Sequence, residues 1–203
     1  FPMAKAKGWL EILLDLLAGI LTKQELRNAG GTSAQLDRAV TVSVPLGSGY
    51  DVEEDRRMKA RQLEELCGTI ISVAHYQPDS GVTYCNQAVR EVAEALGCRD
   101  FPQNILANAM VDLMSSAYGW RTDTAERASE HAIRGGLAIA GKKYAVHGHV
   151  AVIAPQPCSY SGSWAAPVPI LANVGTRNGF MKASEAFPVA GGEPAYYLWG
   201  EVA

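Results

Sequence analysis

The chain has 203 residues, of which 48% are hydrophobic and 19% charged, ordinary for a globular protein and enough for one generous domain or a domain with an appendage. A formal net charge of -3, with no basic run of useful length, removes the electrostatic case for a nucleic-acid partner. No apolar stretch reaches the roughly 20 residues that span a bilayer. Near the amino terminus, "MAKAKGWLEILLDLLAGIL" begins like a signal peptide, but Glu11 and Asp15 interrupt it at helical spacing and no small-residue cleavage site follows. It reads instead as part of an amphipathic helix over residues 9–27, with Trp9, Ile12, Leu13, Leu16, Leu17, Ile20 and Leu21 on one stripe.

"NAGG" at 28–31 ends that helix, "VTVSVP" at 40–45 reads as a short strand, and "DVEEDRRMKARQLEELCG" at 51–68 reads as a second helix stopped by glycine. After the loop "HYQPDSGVTY", residues 85–96 form a helix whose inner face is Cys85, Ala88, Val89, Val92 and Leu96. Residues 104–117 read as helical, and "TDTAERASEHAIRGG" at 122–136 is a further helix with threonine caps and a glycine stop. Short strands follow at 137–141, 149–154, 169–175 and 195–202, separated by Gly, Pro and Ser. Helices first and antiparallel strands second is an α+β order, with the last four strands expected in one meander and the cysteine helix packed on its face.

The chemistry centres on Cys85. A thiol in the first turn of a helix meets free backbone N–H groups and the positive end of the helix dipole, both of which favour thiolate. Inside "YAVHGHVAVIAP", His149 opens an apolar strand, where His149, Ala151 and Ile153 share a face. If that face meets the cysteine helix, the imidazole can activate the thiol and later protonate a leaving amine. Backbone N–H groups at the helix start would stabilise the oxyanion. Taken alone, the same two residues also fit a buried helix-end thiol and a hydrogen-bonded strand-start histidine.

Three longer fragments sharpen the reading. "YCNQAVREVAEALG", "NILANAMVDLM" and "GGLAIAGKKYAVHGHVAVIAP" together resemble the type VI secretion amidase effectors, small cysteine hydrolases of the NlpC and papain-like group that cut peptidoglycan peptides. Family members carry a cysteine opening a helix, an "NANAMVD" stretch and a "GHVAVV" strand, in this order and at similar separations. "NVGTRNG" and "PAYYLWG" look like the family's closing strands, so the resemblance covers roughly residues 80–200. It implies an α+β, papain-like (NlpC-type) core over 77–203 with an amino-terminal helical extension over 1–76. It also implies Cys85 as nucleophile, His149 as base and acid, and no metal or organic cofactor. The implied substrate is the peptidoglycan stem peptide, cut between D-glutamate and meso-diaminopimelate. Where the family tends to have "CSG" after its nucleophile, this chain has "CNQ", and Asn86 would then donate through its backbone. By analogy with cell-wall hydrolases that use asparagine, Asn173 is the candidate that orients His149; a main-chain carbonyl within 169–172 would serve as well.

Other residues have plainer readings. His147 rivals His149 two positions upstream, but the glycine-histidine-apolar pattern favours His149. A two-histidine metal site lacks a third ligand nearby in sequence. His75 and His131 read as surface histidines, and Asp112 as a helix-surface carboxylate. Asn108 reads as a cap or a holder of a loop near the cleft. Trp120, Trp164 and Trp199 read as core or edge packing in preference to lining a groove. Cys67, Cys98 and Cys158 read as structural thiols or as containing one disulfide. The expectation for function is a peptidoglycan-peptide amidase or endopeptidase, secreted or delivered to the bacterial periplasm or cell wall by a secretion apparatus or a phage. The amino-terminal helix either packs on the catalytic core or acts as a cap, or as an arm for an immunity or delivery protein. Rival expectations are an own-wall remodelling endopeptidase of the same fold and a non-catalytic wall-binding or structural module.

Overall fold

The computed structural model describes residues 51–78, 83–187 and 192–200. The helix read over 9–27 and the strand read over 40–45 lie outside the described residues. Among the described residues, five α-helices and a six-stranded antiparallel sheet make an α+β fold, and none of these helices is long and apolar enough to cross a membrane.

Helix α1 (Val52–Ser72) starts where the Asp51 carboxylate accepts the N–H groups of Glu53 at 3.0 Å and Glu54 at 3.3 Å. Glu53, Glu54 and Asp55 add negative charge to its first turn, which suits the helix dipole. Leu63, Leu66, Cys67 and Ile70 bury one face, and they share a core with the cysteine helix. The sequence pattern stops this helix at Gly68, yet it runs on to Ser72. Burying Ile70 contributes about 2 kcal/mol, more than the roughly 1 kcal/mol that a mid-helix glycine costs.

Helix α2 (Cys85–Ala95) buries Cys85, Ala88, Val89, Val92 and Ala93. Its end follows from Gly97, at φ 91, which lets the Cys98 N–H reach the Ala93 carbonyl at 2.9 Å and its own N–H reach Glu94 at 3.1 Å. Helix α3 (Ala107–Ser116) buries Ala107, Met110, Val111 and Met114. Strand β1 (Trp120–Asp123) precedes α4 (Ala125–Ile133), whose cap Thr124 accepts the Arg127 N–H at 3.3 Å. Then come β2 (Ala138–Lys142), β3 (His149–Ile153), β4 (Ser159–Ser161), β5 (Ala166–Val168), β6 (Ile170–Asn173), β7 (Gly179–Lys182), the single turn α5 (Ala183–Ala186) and β8 (Ala195–Trp199).

The sheet order is β1-β8-β2-β3-β6-β7, with β4 and β5 as a separate hairpin. This corrects the expected meander. Strands β2, β3 and β6 do follow one another, but β8 turns back to pair with β2 and carries β1 on its other side. Strand β3 is central and buried along Val150–Ile153, and α2 packs against it.

His131 also needs correction. It is 3% exposed, because it lies at helical spacing from buried Ala128 on the face of α4 that meets the sheet. Its Nε2 donates to the Trp199 carbonyl at 3.2 Å, while Nδ1 is buried without a partner. Burial, with the Arg121 guanidinium next in weight, holds its pKa below the usual value. His75 is exposed. The four cysteines are free thiols, so no disulfide forms among Cys67, Cys98 and Cys158. Burial pushes Cys67 and Cys98 up to about 12, which leaves them as inert core thiols.

Candidate active site

The start of α2 has no side-chain cap, so its first backbone N–H groups are free for other acceptors. Cys85 places its sulfur there. The backbone N–H groups of Val150, Asn86 and Cys85 itself lie where they favour its thiolate form. Val150 follows His149 directly, so the thiol sits at the mouth of β3. The Asn86 side chain is used elsewhere, with Nδ2 donating to the Ile105 carbonyl at 2.6 Å and tying α2 to the loop before α3.

His149 opens β3, and Asn173 closes β6. The register pairs Val152 with Ala172, which puts Asn173 on the same face as Ala151 and His149. His149 Nε2 and Asn173 Oδ1 lie 2.7 Å apart. Asn173 Nδ2 donates to the Arg177 carbonyl at 2.6 Å, which fixes Oδ1 toward the ring and makes Nε2 the proton-bearing nitrogen. Nδ1 is then the basic nitrogen. The ring also packs on Phe187, with centroids 5.0 Å apart, and a Cβ at Gly175 would lie 3.3 Å from its Cε1. These contacts box the imidazole into one orientation.

His147 lies outside β3, exposed in the preceding loop. It lines a hollow of about 400 Å³ over Cys85, together with Thr83, Leu106, Asn108 and Val146. Asn108 holds this loop: Nδ2 donates to the Tyr144 carbonyl at 2.9 Å, and Oδ1 accepts the Tyr144 N–H at 3.3 Å. Gly148 is where the loop touches α3, since a Cβ there would lie 2.3 Å from Asn108 Oδ1 and 2.9 Å from the Lys142 carbonyl. A second hollow of about 220 Å³ lies along His149 and Asn173. Thr83 lines both.

Asp112 is exposed and paired with Lys143 at 2.6 Å, a surface contact. Trp120 is buried, with Nε1 donating to Asp100 Oδ2 at 2.9 Å, and neither it nor Trp164 or Trp199 lines either hollow. Among the described residues, no three His, Cys, Asp or Glu side chains converge on one point that could hold a metal ion. The sequence pattern did not single out Thr83, Phe187 or Gly175; the last sits in "NVGTRNG", where a glycine just past a strand end was the available signal.

Burial raises the Cys85 thiol above its usual value, and the three N–H groups only partly offset this. Burial lowers His149, with the Asn173 bond a smaller opposing effect. The resting pair is therefore thiol and neutral imidazole. By their chemistry, a thiol is a nucleophile and an imidazole with a free Nδ1 is a base.

His149 and His131 together make stability depend on pH. Both have folded values below that of an unfolded histidine, about 6.5. Their contribution is complete above that value. As pH falls, the unfolded chain gains protons that the native state refuses, and stability is lost until the folded values are passed. The urea midpoint is expected to fall between pH 7.5 and 5, at no more than about 1.4 kcal/mol per pH unit for each histidine. A midpoint that stays flat across that range would contradict the buried, neutral state of both rings.

No protein-family model matches the chain, and no curated protein is significantly similar to it.

Proposed function

We propose that this protein is a cysteine amidase with a papain-like core, acting on peptidoglycan stem peptides. The observation that carries the reading is the tie of His149 Nε2 to Asn173 Oδ1 at 2.7 Å, which leaves Nδ1 basic at the start of β3, the strand on which the Cys85 helix packs. Cys85 Sγ attacks the amide carbon and its proton passes to His149 Nδ1. The carbonyl oxygen becomes an oxyanion beside the free N–H groups at the start of α2. His149 then gives its proton to the nitrogen, the C–N bond breaks, and a thioester remains on Cys85. Water, deprotonated by His149, cleaves the thioester to a carboxylic acid and restores the thiol.

The substrate rests on the resemblance of the three motif fragments to the type VI amidase effectors, which points to the D-glutamate–meso-diaminopimelate bond. Activity on that polymer belongs in the periplasm or cell wall. Defined muropeptides incubated with the protein under reducing conditions, and read by mass spectrometry, test the reading. One hydrolysed amide within the stem is expected. Folded protein that leaves every stem peptide intact would leave only the non-catalytic scaffold.

Asn173 acts by positioning. Asn173→Ala is expected to lower kcat by about 10- to 100-fold, the worth of a hydrogen bond to a ring that becomes charged during the reaction. The acid limb of the pH–rate profile should move down with it, because Asn173 raises the His149 pKa. A merely structural role would leave that limb in place.

A further inference from the structure

The turn between β6 and β7, residues 174–178, is pinned by an asparagine at either end. From one side, Asn173 Nδ2 reaches forward to the Arg177 carbonyl at 2.6 Å. From the other, Asn178 Oδ1 accepts the Gly175 N–H at 3.0 Å. Thr176 and Arg177 at the tip are exposed, so holding the turn falls to these two side chains. Asn178 spends its remaining end outside the turn. Its Nδ2 donates at 2.7 Å to the carbonyl of Tyr76, in the short 3-10 turn (Ala74–Tyr76) that follows α1. Tyr76 is a firm post: it is 1% exposed, and its ring lies 6.2 Å from that of Tyr84, the residue before Cys85.

What this clamp controls is the direction of the Asn173 amide. An asparagine amide has a donor end and an acceptor end of nearly the same shape. The Arg177 carbonyl can only accept, so while it stays close it takes Nδ2 and turns Oδ1 to His149. Opening the turn removes that constraint. The amide can then rotate end for end and donate to Nε2. A neutral imidazole carries one ring proton, so the proton then belongs on Nδ1, and the lone pair needed for a base sits on the wrong nitrogen. Gly175 is where the clamp bears. A Cβ there would lie 3.2 Å from Asn173 Nδ2 and 3.3 Å from His149 Cε1, so a shift of this backbone runs into both side chains.

We infer that Asn178 is a positioning residue that keeps His149 in its Nε2–H tautomer, acting through the Gly175 N–H, the 174–178 turn and Asn173. The tautomer is a property of the resting protein; its effect on turnover rests on the hydrolase reading.

NMR of protein carrying isotope-labelled histidine reads the tautomer, because protonated and bare ring nitrogens resonate far apart. The His149 signals are assigned by their absence in His149→Ala. At a pH of about 8, above the ordinary histidine value, wild type is expected to show the proton on Nε2. Asn178→Ala, with its fold checked by urea melt, is expected to shift the ring signals toward the Nδ1–H form. Its kcat on stem peptides should fall about fivefold with KM unchanged, the worth of one hydrogen bond. Asn178→Asp keeps an acceptor for the Gly175 N–H and should restore the wild-type tautomer. Should Asn178→Ala not fold, Asn178→Ser takes its place, its hydroxyl being too short to make both bonds. Wild-type ring signals in the folded Ala or Ser variant overturn the inference, and so does a shift that Asn178→Asp fails to restore. Either result leaves the hydrolase reading standing if wild type cleaves stem peptides. A shift restored by Asn178→Asp, in a protein that cleaves none of them, upholds the inference and sinks the hydrolase.

Discussion

Cys85→Ala protein is expected to cleave stem peptides at least about 10⁴-fold more slowly than the wild type, and to remain folded. The chemistry explains the size of the loss. Without Sγ no thioester forms, and the free N–H groups at the start of α2 can polarise a carbonyl but have no nucleophile to serve. What remains is positioning and oxyanion stabilisation, which leave a residual advantage over bulk solution of about 10³- to 10⁴-fold. The folded state should survive because Ala keeps the helix start, and the site is a side chain 5% exposed beside backbone donors. A midpoint shift of about 1 kcal/mol is the expected cost of the small void. Turnover by Cys85→Ala within tenfold of the wild type would remove the thiol from the reaction, and parallel urea melts would show that unfolding is not the cause.

His149→Ala is expected to lower kcat about 10³- to 10⁴-fold, while His147→Ala changes it by no more than a few-fold. The two rings differ in how they are held. His149 is bonded to Asn173 at 2.7 Å and packed on Phe187, so its free nitrogen has one direction. His147 is exposed, in a loop outside the strand. A base must present its lone pair to the sulfur in most encounters, and an unanchored surface ring does so rarely. Loss of turnover in His147→Ala with retention in His149→Ala would move the base to the loop and leave the asparagine without a catalytic role.

What the sequence made legible follows from how local each signal is. Helix α2 has its apolar face at three- and four-residue spacing and its stop at Gly97, so both were readable within one short window. Cys85 and His149 were nameable because each stands at the start of an element whose type was clear, whereas Asn173 was named only by analogy with cell-wall hydrolases that use asparagine. Strands β1 and β7 were not: β1 buries one residue, Trp120, and exposes the next three, so no alternation marks it. The place of β8 depends on pairing with residues far away along the chain, which no window contains. The same is true of the contact that makes Gly148 necessary. His131 was misread although Ala128, His131 and Ala132 have the spacing of one buried face; a charged-capable residue was taken as an outward one.

The strand order has a consequence for when the sheet can close. Strand β8 lies between β1 and β2, yet the ribosome makes it after every other strand of the sheet. A nascent chain lacking it can zip β2, β3, β6 and β7 together, but β1 has no neighbour to join and one edge of β2 stays open. Completion of the sheet therefore waits for β8, so a growing chain carries Cys85 and His149 before it has the strand that joins β1 to the rest.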